Sequence, residues 1–120
     1  MENAIYLNTF FPDQPPEKDY GNKEYKRHLK LNNRNIKNRI NYFDKKATQM
    51  LYRLYEGDGK AVYLIGVDDN GDSCGVSLDD LTETLSYIDK ISSIINAKIK
   101  NIRIYNSKNK MYIMSLRIIL

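Results

Sequence analysis

A two-layer α+β sandwich is the fold this sequence predicts, and three observations carry the prediction. Two long segments place apolar residues at helical spacing, three or more segments read as strands, and the two kinds alternate along a chain of 120 residues. Two amphipathic helices of about five turns can both bury a stripe only on one face of a sheet.

The elements follow in order. Met1 to Asn22 contains Pro12, Pro15 and Pro16 without a sustained period, and is expected to be a flexible or draped tail ahead of a domain over 23–120. Tyr25 to Leu31 is a short, charged strand candidate. From Ile36 the spacing turns helical. Ile36, Ile40, Phe43, Ala47, Met50 and Leu54 form one stripe, with Gly57 and Gly59 as stop signals. Val62 to Val67 is apolar on both faces and predicts a central strand. Asp69-Asn70-Gly71-Asp72 suits a type I′ connection, with Ser73 to Val76 as a brief return strand.

Ser77 reads as an N-cap, with Asp79 and Asp80 favouring the positive end of the helix that follows. Leu78, Leu81, Leu85, Ile88, Ile91 and Ile95 share one face of that helix, which is expected to end near Asn96. Ile99 to Tyr105 and Met111 to Ile119 alternate as strands. The order is βαββαβ plus one extra C-terminal strand. A split βαβ, ferredoxin-like arrangement satisfies it with right-handed crossovers.

Composition narrows the function classes. No apolar run reaches the roughly 20 residues of a membrane span, and the acidic, proline-bearing start lacks the basic region of a secretory signal. One cysteine, Cys74, allows no internal disulfide and fits a reducing, cytoplasmic setting. The net charge of +4 hides a segregation. Residues 21–60 hold eleven basic and four acidic side chains, and residues 98–120 hold six basic and none acidic. Between them, residues 61–97 hold one basic and seven acidic. A basic surface built from both ends of the folded region is expected. Its candidate nucleic-acid contacts are Lys26, Arg27, Lys30, Arg34 and Lys37 from the first segment, with Lys100, Arg103, Lys108 and Lys110 from the second. Tyr25, Tyr105 and Tyr112 are interleaved with them as exposed aromatics.

Catalysis is poorly supplied. His28 has no neighbouring carboxylate pattern and reads as a solvated surface residue. Cys74 lies near acids that raise a thiol pKa, and Asp68 to Asp72 lacks the glycine placement and closing Glu of a calcium loop. The one Gly-Lys pair, Gly59-Lys60, is not a P-loop, because Leu54 and Ala61 stand where the first Gly and the hydroxyl belong.

The most ordered motif runs from Glu56 to Gly71: Glu56, Gly57, Gly59, Ala61, Tyr63, Ile65, Gly66, Val67, Asp69 and Gly71 spell EGxGxAxYxIGVxDNG. With Thr48-Gln49-Met50 and Arg53-Leu54 before it and Gly75-Val76-Ser77 after, it resembles the segment ahead of the GTPase domain in the GTP-binding protein 1 and 2 family, translational GTPases related to elongation factors Tu and 1-alpha. That resemblance implies a non-catalytic N-terminal accessory domain without the GTPase. Its partners would be the parent's GTPase domain and, through RNA binding, the ribosome, rRNA or tRNA. It implies no membrane and no cofactor in this chain, GTP and Mg belonging to the parent family. The alternative is a stand-alone nucleic-acid-binding module: Tyr63 to Gly71 with Gly75-Val76 is also similar to the central hairpin of AlbA-like domains in Schlafen-type proteins.

Overall fold

The computed structural model describes residues 3–31 and 35–120. Its elements are β1 (Ile5–Phe10), β2 (Lys23–Lys26), α1 (Ile36–Glu56), β3 (Lys60–Ile65), α2 (Leu78–Ile94), β4 (Lys98–Asn106) and β5 (Tyr112–Ile119), with a short 3₁₀ segment at Lys108–Lys110. The strands form one mixed sheet in the order β1-β4-β5-β3-β2. The outer pairs, β1 with β4 and β2 with β3, are parallel, while β5 runs antiparallel to both neighbours. This is the expected α+β architecture, consistent with a ferredoxin-like arrangement plus an extra strand.

Both helices pack on the same face. Met50 and Leu54 of α1 and Leu81, Ile88 and Ile91 of α2 meet Ala61, Tyr63 and Ile65 of β3 and Met114, Leu116 and Ile118 of β5 in one core. Local chemistry fixes the helix ends. The Asn35 side chain accepts from the Asn38 amide at 2.9 Å, and Ser77 Oγ accepts from the Asp80 amide at 3.1 Å.

Four expectations are corrected. The segment 1–22 is not a flexible tail among its described residues. Ile5–Phe10 pairs with β4 at the sheet edge, the chain from Phe11 to Pro15 lies on the face that carries no helices, and residues 18–21 turn to meet α1. Phe11, Val62 and Tyr105 surround a second small core of Tyr25, Leu64, Val67 and Ile113 there. The segment's period is lost because its contacts are backbone and side-chain hydrogen bonds of a proline-rich stretch, not an apolar stripe. The strand that the expected order lacks is therefore β1, on its N-terminal side.

The return strand at 73–76 is the second correction. Only Val76 bridges, and its partner is Tyr112 of β5. Ser73 instead donates its amide to Asp13 Oδ1 and its hydroxyl to the Pro12 carbonyl. Third, the turn is not type I′. Neither Asp69 nor Asn70 has positive φ. The Asp68 amide donates to Asp72 O at 3.0 Å around a three-residue loop whose last member, Gly71, is left-handed at φ +93°. Fourth, the α1 stripe outruns the core: Ile36 and Ile40 are 77% and 57% exposed, beside Ile94.

Candidate nucleic-acid interface

The ordered motif builds the framework that seats the N-terminal segment. Ala61, Tyr63 and Ile65 point into the helix-covered core, where burial pushes the Tyr63 phenol pKa up, and Val67 faces the opposite core. Glu56 accepts from the Gly21 amide at 3.1 Å, and the Asp69 carbonyl accepts from the Glu17 amide at 2.7 Å. Close approach explains the glycines: a Cβ at Gly57 would lie 1.8 Å from Lys60 O, and one at Gly71 would lie 1.9 Å from Gln14 O. Gly59 and Gly66 occupy left-handed backbone on either side of β3.

Arg53 completes this seat, and its role was legible only as part of the motif's neighbourhood. Its side chain is buried and uses all three nitrogens. Nε donates to Glu24 Oε1 at 3.0 Å, Nη1 to the Tyr20 and Gly21 carbonyls, and Nη2 to the Lys18 carbonyl at 2.9 Å. Glu17 approaches at 3.9 Å while accepting the Tyr25 amide, and its burial raises its pKa.

Apart from Arg34, Lys37 and Lys110, the basic candidates divide into two groups. Lys26 pairs with Glu24 at 3.3 Å, Arg27 with Asp68 at 4.0 Å, and Lys30 with Asp80 at 3.5 Å. Lys108 is held by Asp72 at 2.8 Å and Asp13 at 3.2 Å, which raises its pKa. Lys37 sits in the first turn of α1 on the helix layer, Lys110 lies in the 3₁₀ segment, and Arg34 falls outside the described residues. Charge counting alone could not reveal the neutralisation of Arg27, Lys30 and Lys108, because their acids come from distant parts of the chain.

Lys100 and Arg103 form the other group. Register places them with Lys23, Lys60, Lys98 and Arg117 on the helix-free face of the sheet. Lys23 aligns with Val62, Val62 with Arg117, and Arg117 with Lys100, while Ile119 aligns with both Lys60 and Lys98. Three residues apart in a regular strand, Lys100 and Arg103 would point to opposite faces. A bulge between them, with Asn101 left-handed at φ +56°, turns both to the same side. All six are exposed, and none has a carboxylate partner among the described residues.

The interleaved tyrosines are not exposed. Tyr25 is buried with its hydroxyl donating to the Pro15 carbonyl, Tyr105 is half-buried with its ring 4.9 Å from that of Phe11, and Tyr112 is half-buried edge-on to Tyr6. His28 also departs from expectation. It is half-buried beside Leu29, which enters the core, and its Nδ1 has no hydrogen-bond partner among the described residues.

The thiol of Cys74 is pushed up by burial and by Asp68, which opposes nucleophilic use. No cluster of three or more His, Cys, Asp or Glu suited to a metal occurs among the described residues. None of their helices is long and apolar enough to cross a membrane.

What fold and site define is a small α+β domain with one basic, helix-free sheet face and a motif-built cradle for its N-terminal segment. Over 92 residues, 77% of the chain, it is 39% identical to GTP-binding protein 2 of human and of mouse. The match covers 14% of those proteins, and the chain thus spans a small fraction of the length of the curated relatives it matches. It is also 41% identical over 61 residues, half of the chain, to 33% of uncharacterized protein R625 of Acanthamoeba polyphaga mimivirus. No family model matches the chain.

Proposed function

We propose that the chain is a non-catalytic accessory domain that positions an elongation-factor-like GTPase on RNA, through the helix-free basic face. One observation carries the reading: Lys100 and Arg117 stand directly opposite each other on adjacent antiparallel strands. Like charges in that position destabilise a sheet, by roughly 0.2–1 kcal/mol per pair. A row of phosphates turns the same arrangement into an attraction, because each neutralised phosphate releases condensed counterions. The relatedness to a small segment of GTP-binding protein 2 supports the placement beside a GTPase. The ribosome, rRNA or tRNA would then be the surface met, in the cytoplasm.

The test is Lys100→Glu. It converts the repulsive pair into a cross-strand ion pair with Arg117, so the melting temperature should stay level or rise while RNA affinity measured by fluorescence anisotropy falls about tenfold. A fall in stability, or unchanged RNA binding, would remove this reading.

A stand-alone AlbA-like module is the less supported alternative. The hairpin on which that resemblance rests has no return strand here, since residues 73–76 contribute only the Val76 bridge.

A further inference from the structure

We infer that the ligand of the basic face is double-helical RNA, read through its two phosphate ridges, and not an extended single strand. The inference rests on the RNA reading above and on the shape of the charge array. From Lys23 on β2 to Lys100 on β4 the register crosses three strand spacings, or about 14 Å. From Lys98 to Arg103 the partners on β5 run from Ile119 to Ser115, again about 14 Å. The cations therefore spread in two directions, a row of Lys23, Arg117 and Lys100 across the sheet and a column of Lys98, Lys100 and Arg103 along β4, and do not trace one line. A single strand presents one row of phosphates, which proteins track with a groove one charge wide. A duplex presents two rows separated by a groove, and an A-form helix offers them across a wide, shallow minor groove that a flat surface can meet.

The aromatics point the same way. Single strands are gripped by stacking bases on exposed rings. On this face Tyr25 is buried beneath Pro15 and Tyr105 lies against Phe11, so the N-terminal segment covers the rings that could have formed such a platform. The exposed ring nearest in sequence to Lys23, Tyr20, already has Lys18 Nζ 5.5 Å from its centroid. What the segment leaves open is charge, with Tyr20 an exposed ring beside Lys23, and a single ring is no platform for a row of stacked bases.

The experiment compares an RNA duplex of about 16 base pairs with each of its separate strands, by anisotropy across salt. The wild-type chain is measured beside Lys23→Gln and Lys98→Gln, which remove charge from β2 and from β4, on opposite sides of the array. The duplex should bind about tenfold or more tighter than either strand, and each variant should lower the log–log salt slope on the duplex by about 0.9. Both positions are exposed, and circular dichroism verifies that the variants fold. Equal or tighter binding of a single strand overturns the inference while leaving RNA binding intact. So does a slope that responds to Lys98 but not to Lys23, the signature of one row along β4. Absence of binding to either form removes the inference together with the RNA reading beneath it.

Discussion

Replacing Arg53 with Leu tests whether the N-terminal segment is held by one buried cation. The guanidinium and the Glu24 carboxylate are both buried, with side chains 6% and 8% exposed and 3.0 Å apart. Removing one member of such a pair typically costs about 3–5 kcal/mol, because the other is left charged and dry. Lys26, 3.3 Å from the second Glu24 oxygen, offsets part of that loss, and the freed carbonyls of Lys18, Tyr20 and Gly21 belong to exposed or half-exposed residues that water can reach. The lower end, about 3 kcal/mol, is therefore expected. For 120 residues the unfolding entropy is about 0.25 kcal/mol/K, so the melting temperature should fall by about 12 °C. Calorimetry or thermal circular dichroism measures it, and hydrogen exchange should show the Gly21 and Tyr25 amides losing protection first. Replacing Glu24 with Leu as well should restore part of the loss, since an apolar pair leaves no buried charge. A drop of only two or three degrees in the single variant would refute the argument.

Three further outcomes are expected. Gly71→Ala places a Cβ 1.9 Å from the Gln14 carbonyl at a left-handed φ, so it should cost more than the roughly 1–2 kcal/mol of the backbone strain alone, read by urea denaturation. Ile40→Asp, at an exposed position, should stay within about 0.5 kcal/mol of wild type, whereas Met50→Asp, fully buried, should cost several kcal/mol and yield little folded protein. The Asp13 carboxyl is held below its ordinary value by the Ser73 amide and then by Lys108. Its contribution is thus present above pH 3.8 and lost as pH falls through the depressed value, so the melting-temperature gap between wild type and Asp13→Asn should close on acidification.

The helices, the central strands and the Ser77 cap were legible because their signals are local: apolar spacing, a capping hydroxyl, acids in the first turn. What escaped was set at a distance. Strand β1 earns its place only through β4, and the residues 11–22 that follow it make hydrogen bonds to α1 and to the 69–73 loop that no window of sequence contains. Ser73 to Val76 alternates well enough for a strand, yet Asp13 and Pro12 claim the amide and hydroxyl of Ser73. At the interface, Lys100 and Arg103 were legible as charge. Their common face was not, because it depends on the bulge at Asn101, and Lys60 was hidden by its place in the glycine turn. Lys108 misled for the opposite reason, its acids lying 36 and 95 residues away.

The sheet order carries a consequence for how the chain is made. Both edge strands, β1 and β2, come from the first 26 residues, yet Ile5 pairs opposite Arg103. During synthesis at about 5–20 residues per second, β1 therefore emerges roughly 5–20 s before the strand it must join. Through that interval Ile5, Tyr6, Leu7 and Phe10, apolar and exposed even in the finished sheet, have no neighbour. A pairing between chain positions so far apart closes slowly. Strand β1 waits on a partner made about 90 residues later, and the nascent chain carries an unpaired apolar edge until β4 has emerged.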